Sequence, residues 1–547
     1  MPESPFAAER LLFTPTTPES DAIPVIFAFP NEYSVGITSL GYQVVWATLA
    51  TRSDVQVSRL FTDVQESLPA NPELLGFSLS WELDYVNILN QLESLEIPIE
   101  TRDRTAEHPL VFGGGPVLTA NPEPFADFFD VILLGDGEIL LAALIEGYKT
   151  IRHADRATQL RQLAKIPGIY IPSLYEVTYH SAEAGVADIQ AIDSDIPAQI
   201  DKQTYRGNVL SASTVVTEKA AWENIYMVEV VRSCPEMCRF CLASYLTLPF
   251  RTASVEESLI PAIDRGLQVT DRLGLLGASV TQHPEFESLL DYLNRPEYDH
   301  VRLSIASVRT NTVTAKLAET LVKHDTKSVT IAVETGSDRL RQIINKKLLN
   351  QEIIQAAINA KAGGLSSLKL YGMVGLPDEQ TEDLAQTVAM MQQIKKAAPG
   401  LRLTLGCSTF VPKAHTPFQW FGVNRQAEKR LQFLQKQLRP HGIDFRPESY
   451  NWSVIQALLS RGDRRLSQLL KLTRHYGDSL GSYRRAFKEL RGQLPDLDFY
   501  VHSDWQPGQL LPWSHLQAAL PPATLLKHLA SATDQFTPTA AILCTSS

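Results

Sequence analysis

The sequence predicts an α/β chain in three parts: an N-terminal doubly wound parallel sheet, a partial (β/α)6 barrel and a helical C-terminal region. Three observations carry this. Short apolar strands alternate with helical stretches between residues 23 and 150, the alternation resumes at residue 225, and beyond about residue 420 strand signals largely vanish while apolar residues recur at helical spacing. The parts fall at residues 1–150, 223–420 and 421–547, with a connector over 151–222. A chain of 547 residues is too long for one core, so several domains are expected.

In the first part, strands are expected over 23–29, 74–80, 110–112 and 131–134, with helical stretches over 35–50 and 84–95. The last two strands end in glycines, Gly113-Gly114-Gly115 and Gly135-Asp136-Gly137. Open parallel sheets bind ligands at the carboxyl ends of their strands; a tight turn alone also asks for glycine. The connector holds Tyr170-Ile171-Pro172-Ser173-Leu174-Tyr175 and a polar stretch through Asp201, with some extended structure. Six barrel strands are expected over 225–231, 273–276, 301–307, 328–333, 367–374 and 402–409, with helices between them such as 338–344 and 352–362. Functional loops of such a barrel sit at the carboxyl ends of its strands. In the last part, 425–438 carries Ala427, Leu431, Leu434 and Leu438 at helical spacing, and 454–476 is similar.

Composition narrows the function. Apolar residues make up 44% and charged residues 20%, ordinary values for a soluble globular protein. A net charge of -11 repels polyphosphates and disfavours nucleic acid as a partner. The opening Met-Pro-Glu-Ser-Pro has no signal-peptide character, and no apolar run reaches the length of about 18 residues that spans a bilayer. The expected location is cytoplasmic. Of five cysteines, Cys234, Cys238 and Cys241 fall within eight residues, while Cys407 and Cys544 stand apart. That pattern suits a reducing compartment and one local metal or redox site rather than a disulfide scaffold.

The cluster reads Ser233-Cys234-Pro235-Glu236-Met237-Cys238-Arg239-Phe240-Cys241 and follows the first barrel strand. One loop at this spacing can wrap a four-iron cluster, each thiolate taking one iron and the fourth iron left open. An open position is what a catalytic metal needs. A zinc site is the rival, but no nearby fourth Cys or His completes its set, the nearest downstream histidine being His283. Three buried free cysteines would be a coincidence.

Cys-x-x-x-Cys-x-x-Cys after the first strand of a partial barrel resembles the signature of radical S-adenosylmethionine (SAM) enzymes. The resemblance implies a 4Fe-4S cluster on Cys234, Cys238 and Cys241, SAM chelated to the open iron, and cleavage of SAM to a 5′-deoxyadenosyl radical. It also implies cofactor contacts. Phe240 matches the family position that meets adenine. The stretch Gly372-Met373-Val374-Gly375-Leu376-Pro377-Asp378-Glu379 resembles the Gly-x-Ile-x-Gly-x-x-x-Glu pattern through Gly375 and Glu379, although Tyr371 stands where the first glycine should be. Glu334 resembles the polar residue that meets the ribose or methionine part of SAM, while Ser337 or Thr335 beside it equally suits a helix cap. Ser304 and Arg309 come from the third strand and its exit, and an arginine there suits the SAM carboxylate. The Gly-Gly-Glu that binds the SAM amino group in many members is replaced by Gly277-Ala278-Ser279, leaving Ser279 or backbone carbonyls for that contact.

A doubly wound domain ahead of such a barrel resembles the cobalamin-binding domain of one large subgroup, over about residues 24 to 150. Ser78, Gly114, Gly115 and Gly135 match the strand ends where that fold receives the nucleotide tail. The histidine that binds cobalt from below is missing: the loop reads Pro30-Asn31-Glu32-Tyr33-Ser34-Val35-Gly36. Either cobalamin binds without it or the fold is retained and the ligand lost. Overall the chain resembles an uncharacterised branch of this subgroup, through 229–250, 334–346, 411–420 and Arg461-Gly462-Asp463-Arg464-Arg465.

Radical SAM chemistry on a small-molecule or unknown substrate is thus the expected function, with methylation or rearrangement assisted by cobalamin and an electron donor such as flavodoxin or ferredoxin. A methylthiotransferase acting on tRNA or protein is an alternative, but no cysteine for a second cluster precedes Cys234. A non-catalytic iron–sulfur or corrinoid sensor is the other.

Overall fold

The computed structural model describes residues 4–306 and 308–537; Ser307, at the expected end of the third barrel strand, and Cys544 lie outside the described residues.

The first sheet is built from β1 (Ile23–Ala28), β2 (Val55–Leu60), β3 (Leu74–Ser78), β4 (Leu110–Gly114), β5 (Val131–Leu133) and β6 (Ile169–Tyr170). Their order is β2-β1-β3-β4-β5-β6, with the first five parallel and β6 antiparallel at the edge. The apolar runs of β1, β3 and β5 are nearly all buried, as strands covered on both faces must be. The order reverses between β1 and β3, so the loops after these strands flank a crevice. Helices α1 (Leu40–Ala50) and α3 (Gly137–Ile151) pack against each other, while α2 (Tyr85–Ser94) packs against the C-terminal region. The expected helical stretch 35–50 is broken: Ser39 caps α1 by accepting the Tyr42 N–H, and a separate turn spans Tyr33–Gly36.

Two strands of this sheet escape sequence patterning. β2 hides behind Arg59, whose buried guanidinium is held by Glu9 and Glu66 at 2.7 Å each and lies 3.8 Å over the Trp46 ring. β6 is only two residues long and lies in the expected connector, so the sheet continues beyond residue 150. The connector also forms an antiparallel hairpin, Tyr175–Tyr179 with Val186–Ala191.

The barrel comprises β7 (Ile225–Arg232), β8 (Arg272–Gly277), β9 (Arg302–Ile305), β10 (Ser328–Glu334), β11 (Ser367–Val374) and β12 (Arg402–Thr409), followed by β13 (Asp444–Pro447). β7-β8-β9 and β10-β11-β12-β13 are each continuous and parallel, and a bridge between Val308 and Ile331 joins them. The barrel stays open: β7 ends on the short antiparallel strand Arg251–Thr252, and β13 is the opposite edge. β13 was not expected after residue 420, because Asp-Phe-Arg-Pro has one apolar position and a proline that only an edge tolerates.

The C-terminal run 454–476 is two helices rather than one. α6 (Tyr450–Arg461) ends at Gly462, and a Cβ there would lie 2.0 Å from the Leu466 side chain of α7 (Leu466–His475). One apolar core joins the N-terminal sheet to these helices and a second lies under the barrel strands. Among the described residues no helix is long and apolar enough to cross a membrane.

Candidate functional site

β7 delivers the chain to the cysteine loop, and the loop turns through two left-handed residues, Ser233 (φ 72°) and Met237 (φ 56°). It is held from outside. Asn345 donates its side-chain amide to the carbonyls of Glu236 (3.2 Å) and Met237 (2.7 Å). Arg239 donates to the carbonyls of Gln342 (2.9 Å) and Ile343 (2.6 Å), at the end of α5. The helix is short, Asp338–Ile343 (with α4 the single turn Leu242–Tyr245 after the loop), and its negative end suits a cation. Arg239 also reaches Ser531 on α8 (Pro522–Thr533), and the Tyr245 hydroxyl lies 2.8 Å from His528 of the same helix. With its outer side occupied, the loop turns Cys234, Cys238 and Cys241 to one cavity.

All three are free thiols. Burial pushes the Cys238 thiol up to about 12 and raises that of Cys241, so binding iron there means displacing protons. Among the described residues no three His, Cys, Asp or Glu side chains converge tightly enough for a single metal ion. The three thiols share a cavity without meeting at a point. That donor set fits a body with several irons, each on its own sulfur, rather than tetrahedral zinc.

The cavity gathers side chains from the carboxyl ends of several strands. Phe240, Ser279, Arg309 and Glu334 line it with the three cysteines. Glu334 follows a register shift at the end of β10 (φ 64°), and its carboxylate accepts from Lys346 at 3.0 Å. Arg309 pairs with Glu236 at 3.0 Å, and Gln282 bridges the Glu236 carboxylate (2.6 Å) to the Ser279 hydroxyl. Ser337 caps α5 by accepting the Leu340 N–H at 3.2 Å, so this stretch supplies both a cavity carboxylate and a cap.

The other expected contacts stand back from the cavity. A Cβ on Gly277 (φ 149°) would lie 2.5 Å from the Val231 carbonyl, so this glycine lets β8 lie close to β7. Gly372 pairs with Glu334 in register and is buried beneath it. Gly375 donates its N–H to Glu379 at 2.7 Å, and that carboxylate also takes Arg430 at 2.6 Å. Glu379 is 4% exposed and belongs to a turn-closing ion pair rather than to the cavity wall. Cys407 is buried in the barrel core.

A second cavity lies at the carboxyl edge of the first sheet, between α1 and α3. Gly115, Gly135, Asp136, Lys202 and Arg232 line it, whereas Ser78 and Gly114 pair in register nearby without lining it. A Cβ on Gly115 would lie 2.5 Å from the Leu79 carbonyl, and one on Gly135 2.0 Å from that of Gln203. These two glycines therefore admit the protein's own backbone, while a Cβ on Gly114 would make only an ordinary contact with Leu133 at 3.8 Å. The loop 30–36 places Asn31 against Asp84 (3.1 Å), and burial lifts that carboxyl to about 6. The two cavities share a wall. Arg232 faces the second and Cys234 the first; Ala243 and Ser244 face the first, Leu246 and Thr247 the second. Arg232 is fixed by Glu229 (2.6 Å) and Glu138 (2.7 Å), which ties the entry to the cysteine loop to the start of α3.

Among the cavity residues that the sequence did not single out for this role are Glu236, Lys346 and Tyr371. Glu236 sits between two cysteines, which was a usable signal. Lys346 looks like any surface lysine in sequence, and Tyr371 stood out only as a departure from a motif.

A model of radical SAM proteins, N-terminal, matches residues 43–172, and a model of the radical SAM superfamily matches residues 228–391. An uncharacterized protein of Methanocaldococcus jannaschii is 25% identical over 453 residues, covering 82% of this chain and 91% of that protein. An uncharacterized methyltransferase of Pyrococcus horikoshii is 23% identical over 297 residues, 53% of this chain and 59% of its own. The fold is similar to that of the radical SAM methyltransferase TsrM from Kitasatospora setae with cobalamin and a [4Fe-4S] cluster bound, at a TM-score of 0.51 and 12% identity over 86% of this chain and 99% of that one.

Proposed function

The chain belongs to the radical SAM superfamily, and we propose that its first cavity holds a 4Fe-4S cluster on Cys234, Cys238 and Cys241 with SAM beside it, and its second cavity a corrinoid. When bound, the cluster supplies an electron that cleaves SAM to a 5′-deoxyadenosyl radical. The observation that carries the reading is the meeting of three unpaired cysteines with Phe240, Arg309 and Glu334 in one cavity at barrel strand ends. Arg309 and Lys346 offer cations for a carboxylate, Glu334 and Ser279 accept from an amine or ribose, and Phe240 provides a flat face for adenine.

The corrinoid reading rests on the crevice between α1 and α3 and its shared wall with the cysteine loop. The likeness in fold to a cobalamin-bound methyltransferase is in keeping with it. No histidine of loop 30–36 is available to cobalt, so the corrinoid would sit without an imidazole from that loop. Methylation or rearrangement of a small molecule is the outcome we propose, with a reduced flavodoxin or ferredoxin as electron source.

Two measurements test this. Reduced, reconstituted protein incubated with SAM is expected to release 5′-deoxyadenosine; a cluster that forms without any release makes the protein a sensor. Protein loaded with hydroxocobalamin and freed of excess is expected to keep a corrinoid whose spectrum lacks imidazole ligation. Retention of none, with SAM cleavage intact, removes the corrinoid and any methyl transfer through cobalt.

A further inference from the structure

The face of β11 that looks into the barrel carries two side chains that, among the described residues, no side-chain hydrogen bond or ion pair holds. Tyr371 lines the cysteine cavity, is 59% exposed, and among the described residues makes no hydrogen bond through its hydroxyl. Lys369, two residues earlier and so on the same face, is exposed and among the described residues has no ion-pair partner. The other face of the strand, Leu368, Leu370 and Val374, is buried under helices, which accounts for the fold.

The neighbouring strands organise these two residues into rungs. In register, Tyr371 lies between Ala332 of β10 and Gly406 of β12, and Lys369 lies between Thr330 and Thr404. On the first rung the flanking residues are the smallest available. A Cβ on Gly406 would come within 3.2 Å of Cδ1 and 3.3 Å of Cε1 of Tyr371, so the ring rests one edge against the adjacent strand, where only glycine leaves it room, while the residue lines the cavity. On the second rung a lysine is flanked by two hydroxyls, and one of them, Thr404, is turned to Asp444 at 3.4 Å, itself paired with Arg446. Thr330 lines the cavity. The rungs are about 7 Å apart, the repeat of one strand face. An exposed aromatic ring beside a cation with a hydroxyl is a matched pair of recognition elements, one for a ring and one for an anion.

We propose that Tyr371 and Lys369 form the substrate-recognition wall of this enzyme, and that the substrate is an aromatic or conjugated carboxylic acid. Its ring stacks on Tyr371 beside the cysteines, and its carboxylate rests on Lys369 and Thr330. The proposal rests on the radical SAM reading for the reaction, but the recognition itself needs neither cluster nor SAM. The glycine that the resemblance calls for at position 371 would leave no ring there for a substrate to meet.

The test uses the full-length chain without added cofactors and three probes, 2-naphthoate, 2-naphthamide and cyclohexanecarboxylate, followed by ligand-observed NMR titration. 2-Naphthoate is expected to bind. Lys369→Met should weaken 2-naphthoate about tenfold and leave 2-naphthamide unchanged. Tyr371→Leu should weaken both naphthyl probes about tenfold and leave cyclohexanecarboxylate unchanged. Tyr371→Phe and Lys369→Arg should restore binding, which separates recognition from a folding defect. If wild-type protein ignores 2-naphthoate, or if both variants bind it as wild type does, the proposal is overturned. Failure of the protein to release 5′-deoxyadenosine would overturn the radical reading and leave these titrations standing.

Discussion

His515 gives the protein an acid-sensitive joint whose size can be worked out. Its ring is 4% exposed, lies 5.0 Å from the Tyr170 ring and 5.7 Å from the Tyr175 ring, and among the described residues has no hydrogen-bond partner on either nitrogen. It sits where β6 of the first sheet meets the C-terminal region, beside Glu123 and Arg464. Burial lowers its pKa from 6.5 to about 4, the Glu123 carboxylate opposing that shift and Arg464 adding to it. A depressed base means that the unfolded chain takes up the proton first, so stability falls as pH drops from about 6.5 toward 4. For that shift the loss from pH 7 to pH 5 is about 2 kcal/mol. Asp84 and Glu379 work in the opposite direction, because burial raises them to about 6 and about 7 and the folded state takes up their protons first. The test is therefore a difference. His515→Phe keeps the ring and abandons no hydrogen bond, so urea unfolding of wild type and variant at pH 7 and pH 5 should show the variant gaining about 2 kcal/mol relative to wild type on acidification. Parallel pH profiles for the two proteins would refute the reasoning.

Three further outcomes follow from the geometry. Lys413→Met strands the buried carboxylate of Glu82, which Lys413 and Ser460 satisfy where sheet, barrel and C-terminal helices meet; unfolding should be easier by about 3 kcal/mol in urea titration. Gly135→Ala places a Cβ 2.0 Å from the Gln203 carbonyl at φ 130°, so it should cost upwards of about 2 kcal/mol and loosen the segment 200–205 to proteolysis before the barrel is cut. Glu334→Gln breaks the pair with Lys346 while leaving every cysteine in place, so iron content should hold and SAM affinity fall about tenfold in equilibrium binding.

Much of this was legible in the sequence because the signals were local. The cysteine loop, its place after an apolar strand and the six barrel strands are written in runs of a few residues. The sequence offered Glu334 as a cofactor contact and Ser337 or Thr335 as a helix cap; the fold puts Glu334 on the cavity wall and makes Ser337 the cap, so one turn does both. What escaped depends on contacts between distant segments. Arg59 conceals β2 because its charge is answered by Glu9, 50 residues away. Glu379 matched a motif by spacing, yet Arg430 from a later helix claims its carboxylate. Gly115 and Gly135 signalled close approach, and only the fold shows that the approaching groups are the Leu79 and Gln203 backbones. Lys346 enters the site because α5 is short, a fact of packing with no mark in composition.

The central claim is that three cysteines on one loop hold a four-iron cluster. Anaerobic reconstitution followed by iron and sulfide analysis and Mössbauer spectroscopy tests it most directly. Wild-type protein should bind about four irons per chain with one spectroscopically distinct iron that responds to SAM, as a cluster with three protein ligands requires. Cys234→Ala, Cys238→Ala and Cys241→Ala should each lose it, and Cys407→Ala, buried in the barrel core away from the loop, should retain it. Tightly bound zinc without iron, or full iron content in any of the three loop variants, would contradict the account.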